Sequence, residues 1–237
     1  MSTEKLLALR ERPDGVPFMR QTWRNLTFLH WAMDPAEMQE RLPDGLTVDT
    51  WDGKAYLGLV PFQMCDTQFA NGLKIPTAVN FPETNIRTYV IGPDGNPGVW
   101  FFSLDAASLL AAIGGRLLYS LPYFHARPHE VDLLGNDIAY SLGRGRFMTA
   151  IETQIPSHPQ PATPGSLEFW LVERYVLFSQ HRGSFWSGRV HHAPYRIAEA
   201  IVMPLVKSPQ WSIMSNPPDY CHFSDGVTVD VFGLVRC

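Results

Sequence analysis

Four residues that can bind a ligand or transfer a proton alternate along one predicted strand. Residues 83–91 run Glu-Thr-Asn-Ile-Arg-Thr-Tyr-Val-Ile, and a two-residue period places Glu83, Asn85, Arg87 and Tyr89 on one face. An arginine can hold a carboxylate in a bidentate fork, and a buried glutamate with a raised pKa can move a proton. The pattern predicts a catalytic Glu83 with Asn85, Arg87 and Tyr89 as substrate contacts. The alternative is a solvated face on which Glu83 and Arg87 form a surface ion pair.

A second group of proton donors follows a predicted helix. If the chain after Pro122 is a strand, Tyr123 and His125 share one of its faces, and histidine titrates near neutral pH. We predict catalytic roles for Tyr123 and His125 and a substrate contact for Tyr119, at the end of the helix. The alternative is that the tyrosines fill the core with their hydroxyls hydrogen-bonded.

The histidines do not predict a metal site. His191 and His192 are adjacent, and adjacent side chains on a strand point to opposite faces, so they do not readily share one metal. His191 is predicted to contact substrate. His125 and His129 are four apart, but Pro128 prevents the helix that would align them. No phosphate-binding loop, nucleophile elbow or dinucleotide fingerprint is present, so no metal and no cofactor is predicted.

The elements that would position these residues are mostly short strands. Apolar runs and turn residues predict an α+β class, with antiparallel strands and about three short helices. Strands are expected at 18–31, 46–50, 54–64, 83–91, 99–104, 124–131, 138–146, 149–154, 175–180, 185–191 and 227–235. Helices are expected from 35 through Leu42, from Ala106 to Tyr119 with Asp105 as its cap, from Ser166 to Glu173, and from Ala198; residues 66–81 are expected to be a loop.

Composition excludes several classes of function. The formal charge of -4 and the pI of about 6.0 argue against a nucleic-acid partner. No apolar run is long enough to cross a membrane, the first residues are polar, and three scattered cysteines give no disulfide framework, so we expect a cytoplasmic protein. Length favours a single domain, which we place at 16–237, after a polar N-terminal segment at 1–15.

Long ordered motifs resemble a bacterial family of unknown function, the YqjF-like group. They include 98–108 (GVWFFSLDAAS), 118–126 (LYSLPYFHA), 165–168 (GSLE), 173–175 (ERY) and 188–194 (GRVHHAP), and the resemblance runs from about Arg20 to Val231. That family is similar in turn to the acetoacetate decarboxylase superfamily, in which a glutamate on a strand before a helix matches Glu83. The resemblance implies an antiparallel β-cone or barrel with a central pocket, in a homo-oligomer.

One departure from that superfamily concerns the mechanism. The superfamily carries two adjacent lysines after the proline that follows the helix, whereas this chain has Tyr123 and Phe124 there. A Schiff base needs a primary amine with a depressed pKa. The four lysines, Lys5, Lys54, Lys74 and Lys207, have no second cation beside them in the sequence. We therefore expect no Schiff-base mechanism.

These observations favour a small-molecule enzyme over a binding module. The predicted reaction is an acid–base lyase, hydratase or isomerase step on a small carboxylate or carbonyl compound, with Arg87 holding the anionic group and Tyr123 or His125 polarising an oxygen. The alternative is a non-catalytic ligand-binding barrel that has lost the ancestral activity.

Overall fold

The computed structural model describes residues 3–72, 80–134, 137–155, 158–208 and 210–237. Its helices are α1 Thr3–Arg10, α2 Pro35–Gln39, α3 Leu109–Tyr119 and α4 Leu167–Val172, with a 3₁₀ turn at Ser212–Ser215. Its strands are β1 Met19–Met33, β2 Thr47–Val48, β3 Ala55–Phe69, β4 Phe81–Ile91, β5 Pro97–Ala106, β6 Tyr123–His125, β7 Arg127–Leu134, β8 Asp137–Arg144, β9 Phe147–Gln154, β10 Gln160–Pro161, β11 Val176–His181, β12 Ser184–His192, β13 Arg196–Glu199, β14 Ile201–Lys207 and β15 Tyr220–Arg236.

Seven strands close into a barrel. Their order is β1-β3-β4-β5-β11-β12-β15, and β15 pairs back onto β1. Every pair in this ring is antiparallel except β5 with β11. The α+β class and the largely antiparallel barrel with a few short helices are therefore confirmed. Among the described residues, no helix reaches the length and apolarity that crossing a bilayer requires.

A second, four-stranded sheet covers part of the barrel wall. Strands β14, β9, β8 and β7 form it in that order. Its Leu142 and Ile151 pack with Leu29 and Leu59, which point outward from the barrel. The outer side of this wall is therefore buried, which explains why β3 carries apolar residues on both faces, with Val60 and Phe62 inside the barrel and Leu57 and Leu59 outside it.

The two ends of the barrel are closed by different helices. Helix α4 fills one end, where Phe169, Trp170 and Leu171 are buried in the interior cluster. Helix α3 lies across the other end. Helix α1, in the segment predicted to be polar, also packs on the body, because its Leu6 is buried in the same interior cluster.

Strand β1 has an irregularity near its middle, and the inward-facing side chains have odd residue numbers before it and even residue numbers after it. Asn25 has a positive φ of 53°, and the pairing of β1 with β3 shifts between Arg24 and Leu29. Before the shift Trp23 points into the barrel, and after it Phe28 does so. Gly226 lies opposite Arg24 on β15, and a Cβ there would come within 2.1 Å of the Trp23 carbonyl oxygen. Only glycine fits beside this bulge.

Several predicted elements have the observed type and position. Strand β4 covers 83–91, and α4 begins at its Ser166 cap. The hairpin turn at Asp52-Gly53 has positive φ at both residues (48° and 73°), as a type I′ turn requires.

Three expectations about elements were wrong. Asp105 does not cap α3: β5 continues through Ala106, Ser108 is the cap, and α3 begins at Leu109. The chain from Ala198 is not helical but forms the end of β13 and then β14, because both pair with distant strands. Part of 66–81 is strand rather than loop, since β3 runs to Phe69. Residues 73–79 of that stretch lie outside the described residues.

Candidate functional site

A cavity of about 150 Å³ lies inside the barrel beneath α3. Most of its lining is apolar, and its few polar side chains come from β1, β3, β4, the end of α3 and β6. The residues around it are Met19, Gln21, Trp23, Phe62, Met64, Thr67, Phe69, Phe81, Glu83, Asn85, Phe101, Leu104, Ala111, Gly114, Gly115, Leu118, Tyr119, Leu121, Tyr123, Leu177, Val190 and Val231. Glu83 and Asn85 of the predicted group on β4 thus meet Tyr119 and Tyr123 of the second predicted group in one space.

Glu83 is the one carboxyl group in the described lining of this cavity, and it is 1% exposed. Burial raises its pKa to about 8, although hydrogen bonds from Tyr123 and Asn85 act in the opposite direction. Its Oε1 accepts a hydrogen bond from the Tyr123 hydroxyl at 3.3 Å, whereas its Oε2 has no partner among the described residues. Glu83 is therefore mostly protonated at neutral pH, with one oxygen available to a ligand.

The backbone around α3 places Tyr123 beside Glu83. Ser120 ends α3 in a left-handed conformation, and β6 then runs parallel to β5. The Tyr123 ring packs so closely on Gly115 that a Cβ there would lie 2.2 Å from it. The pKa of Tyr123 lies well above its ordinary value because the hydroxyl is buried beside the Glu83 carboxyl. Tyr123 is therefore a hydrogen-bond donor and not a base.

A polar cluster supports the outer side of β4, directly behind Glu83. The Thr84 and Tyr140 hydroxyls are 2.7 Å apart. Buried Asp105 accepts a hydrogen bond from the Ser103 hydroxyl and pairs with Arg144. The negative charge of Asp105 adds to the rise in the pKa of Glu83, after burial. The Thr84–Tyr140 contact fixes β4, and the Asp105–Arg144 pair fixes β5, against the four-stranded sheet.

Arg87 and Tyr89 lie on the same face of β4 but further from α3. The Leu171 carbonyl, near the C-terminus of α4, accepts hydrogen bonds from the Tyr89 hydroxyl at 2.7 Å and from Arg87 Nη2 at 3.3 Å. Arg174 similarly donates to the Trp170 carbonyl. Cations and donors at the negative end of a helix stabilise it. Neither Arg87 nor Tyr89 is among the residues around the cavity.

The remaining predicted site residues have different positions. Tyr119 lines the cavity, and its hydroxyl donates to the Phe232 carbonyl at 3.2 Å. Burial raises the pKa of Tyr119 to about 12. His125 is exposed at the end of β6, and His191 is half-buried and does not line the cavity. Its neighbour His192 points inward and stacks on Tyr175, with ring centres 4.7 Å apart.

The described lysines lie on the surface. Lys5, Lys54 and Lys207 are exposed, and none lines the cavity. Lys74 falls within 73–79, outside the described residues. In the part of the chain that the structure describes, no three histidine, cysteine, aspartate or glutamate side chains are grouped as a metal site.

Sequence reasoning missed part of the polar lining. Gln21 and Thr67 both face the cavity. Gln21 alternates with Met19 and Trp23, so a two-residue period along β1 would have placed these three side chains together. The pair Gly114-Gly115 inside a helix was also a signal, because glycine within a helix often marks a close approach.

The barrel defines the class of protein. An acetoacetate decarboxylase-like enzyme from Sphingomonas wittichii RW1 superposes with a TM-score of 0.65 at 14% identity, covering 92% of each chain. The acetoacetate decarboxylase of Legionella pneumophila superposes with a TM-score of 0.66 at 12% identity, covering 95% of this chain and 92% of that one. At these identities the likeness establishes the fold: the chain has an acetoacetate decarboxylase-like barrel.

The sequence defines the family more narrowly. Residues 20–228 match the DUF2071 family, described as an uncharacterized conserved protein. The chain is also 37% identical over 191 residues to the uncharacterized protein YqjF of Bacillus subtilis (strain 168), covering 79% of this chain and 78% of that protein. The chain therefore belongs to the DUF2071 family, and the predicted resemblance is confirmed.

Proposed function

We propose that this protein binds a small uncharged carbonyl compound in the cavity and isomerises it through its enol, with Glu83 as the proton carrier. The observation that carries the proposal is the Oε2 atom of Glu83, which lies in an apolar space without a partner among the described residues and belongs to a carboxyl group with a pKa of about 8. A carboxyl group that is mostly neutral near pH 7 can donate a proton, and its conjugate base is stronger than an ordinary carboxylate.

The reaction needs no reactant other than the substrate. The Glu83 carboxyl gives its proton to the carbonyl oxygen, which makes the hydrogens on the adjacent carbon acidic. The resulting carboxylate takes one of those protons, so the enol forms and Glu83 is neutral again. Glu83 then gives its proton to another carbon of the enol system and takes back the proton of the enol hydroxyl, which yields the isomer and leaves Glu83 neutral. Asn85 Oδ1 has no partner among the described residues and can accept a hydrogen bond from the enol hydroxyl.

The lining favours isomerisation over the other predicted reactions. Hydration needs an ordered water molecule, and the cavity offers few polar groups to hold one. Decarboxylation needs a bound carboxylate and an electron sink, and no lysine, arginine or histidine is among the described residues around the cavity. An apolar space that already keeps the Glu83 carboxyl neutral also disfavours a ligand carboxylate.

Cavity size indicates the size of the ligand. A cavity of about 150 Å³ lined by apolar side chains is known to accommodate benzene. A compact ketone with a body of roughly that size matches the cavity, with its oxygen toward Glu83 and its hydrocarbon against Phe62, Phe101 and Leu104.

Proton exchange at carbon tests this proposal directly. Cyclohexanone is incubated with the protein in D₂O, and loss of the signal from its α-hydrogens is followed by NMR. Exchange should exceed the buffer rate and fall at least about a hundredfold in Glu83→Gln, which keeps the shape but cannot carry the proton. Glu173→Gln is the matched control: Glu173 is also buried, but it accepts hydrogen bonds from Tyr175 and Tyr195 and lies outside the cavity.

The same samples distinguish this proposal from a non-catalytic binding barrel and from a Schiff-base mechanism. Saturable binding of cyclohexanone with exchange at the buffer rate would identify a non-catalytic binding barrel. Borohydride trapping tests for an amine, with Lys74→Ala as the informative variant because Lys74 lies outside the described residues. A covalent adduct that Lys74→Ala abolishes would replace the Glu83 mechanism with Schiff-base chemistry.

A further inference from the structure

Helix α3 is apolar on two opposite sides. One side, with Ala111, Gly115 and Tyr119, lines the cavity. The other side carries a stripe of large apolar residues that the chain leaves exposed. The stripe consists of Leu109, Leu110, Ile113 and Leu117, of which Leu117 is the most exposed at 78%. Contiguous exposed apolar residues of this kind are often functional.

We infer that the α3 stripe is covered by a second copy of this chain, with the two α3 helices packed against each other about a twofold axis. The inference is independent of the reaction proposed for the cavity.

The charge around the stripe favours a second copy over other occupants. Helix α3 contains no acidic residue, and its single basic residue is Arg116. The Arg116 side chain is already engaged, since it donates to the Tyr123 carbonyl and stacks over the Phe124 ring at 5.1 Å. An anionic bilayer would be held by free basic residues beside the stripe, and a charged peptide by opposite charges. The same uncharged stripe on a second copy of the chain needs neither basic residues nor opposite charges to bind.

The shape of the stripe also suits self-association. Leu109, Ile113 and Leu117 follow each other at intervals of four, which forms one ridge along the helix. Ridges of this spacing on two helices can interdigitate, and a twofold axis places the same patch on both partners.

The extent of the stripe sets the expected strength of the contact. An eleven-residue helix is about 16 Å long. The largest apolar patch on a typical monomer measures roughly 300–600 Å², so a stripe on one short helix covers less than the ~800 Å² per partner of a standard interface. The paired α3 helices therefore form the apolar centre of the interface, and the adjoining surface supplies a polar rim. We expect assembly that depends on protein concentration.

Sedimentation velocity over a concentration series tests the contact. Wild-type protein should associate in the micromolar range, and Leu117→Glu should raise the dissociation constant at least tenfold. At concentrations where both proteins are monomeric the two melting temperatures should agree, because Leu117 is exposed in the monomer. Met203→Glu is the matched control, since Met203 is 61% exposed on β14, away from α3. Wild-type protein that stays monomeric at 100 µM, or association that Leu117→Glu leaves unchanged, would overturn the inference.

Cross-linking gives a geometric readout. Ile113 is near the middle of the stripe, so its counterpart in the other copy should be close to it across the twofold axis. In a Cys237→Ser background, Ile113→Cys should form a disulfide-linked dimer under mild oxidation, and Met203→Cys should not. Pelleting of the wild type, but not of Leu117→Glu, with phosphatidylglycerol vesicles would instead identify a lipid surface as the occupant and refute self-association.

Discussion

The buried carboxyl of Glu83 makes the stability of this protein depend on pH in a defined direction. Its pKa is about 8 in the folded protein, against an ordinary value of 4.5. Below pH 4.5 the folded and unfolded states both carry the proton. Between 4.5 and about 8 only the unfolded state ionises, so the free energy of unfolding falls as pH rises. Above about 8 both states are ionised and the loss is complete.

The size of this loss follows from the interval between the two pKa values. Each pH unit across it removes about 1.36 kcal/mol of stability, so the whole interval corresponds to roughly 5 kcal/mol. Glu83→Gln cannot ionise and should lack this slope. The free energy of unfolding, measured by urea titration at pH 5 and at pH 8, should therefore fall by roughly 3–5 kcal/mol more in the wild type than in Glu83→Gln.

Taking the difference between the two proteins removes the contribution of every other titrating group. It also removes the constant effect of replacing a carboxyl with an amide. If the difference in stability between wild type and Glu83→Gln stays constant within about 1 kcal/mol from pH 5 to pH 8, the carboxyl is not buried as described, and the proposed proton carrier loses its basis.

Three further predictions use single substitutions. Gly115→Ala should displace the Tyr123 ring and cost about 1–3 kcal/mol in thermal unfolding, whereas Gly114→Ala, whose Cβ meets nothing, should be neutral or stabilising. Tyr123→Phe removes a hydrogen bond that lowers the pKa of the cavity carboxyl, so carbon-13 NMR should show that pKa above 8. Asp49→Asn leaves buried Arg174 without its carboxylate partner and should cost about 3–5 kcal/mol in urea unfolding, while Asp49→Asn with Arg174→Met should cost less.

The sequence was most informative where a strand faces two different surroundings. Along β4 the two-residue period separated Glu83 and Asn85 from Thr84, and the structure places the first two in the cavity and Thr84 against the outer sheet. Periodicity works here because the pleat of a strand fixes which side chains share a face.

Contacts between distant elements were not predictable in the same way. Arg87 shares the strand face of Glu83, but its side chain donates a hydrogen bond to the end of α4. That helix end follows Arg87 by more than eighty residues in the sequence, so the contact could not be predicted from periodicity. Asp105 has the residue type of a helix cap, but Arg144 on β8 pairs with it and β6 extends the sheet past it. The apolar spacing of α3 predicted a helix correctly, whereas a pattern of this kind cannot show which apolar side the chain itself covers.

The bulge at Asn25 divides β1 into two halves that line different parts of the barrel interior. The half before it, with Met19, Gln21 and Trp23, surrounds the cavity, and the half after it belongs to the filled end of the barrel. Gly226 preserves this division by leaving room for the bulged backbone. Substitutions in the first half would therefore reshape the cavity, whereas substitutions in the second half would disturb the filled end. Deleting one residue at the bulge would instead exchange inward and outward side chains along half of the strand.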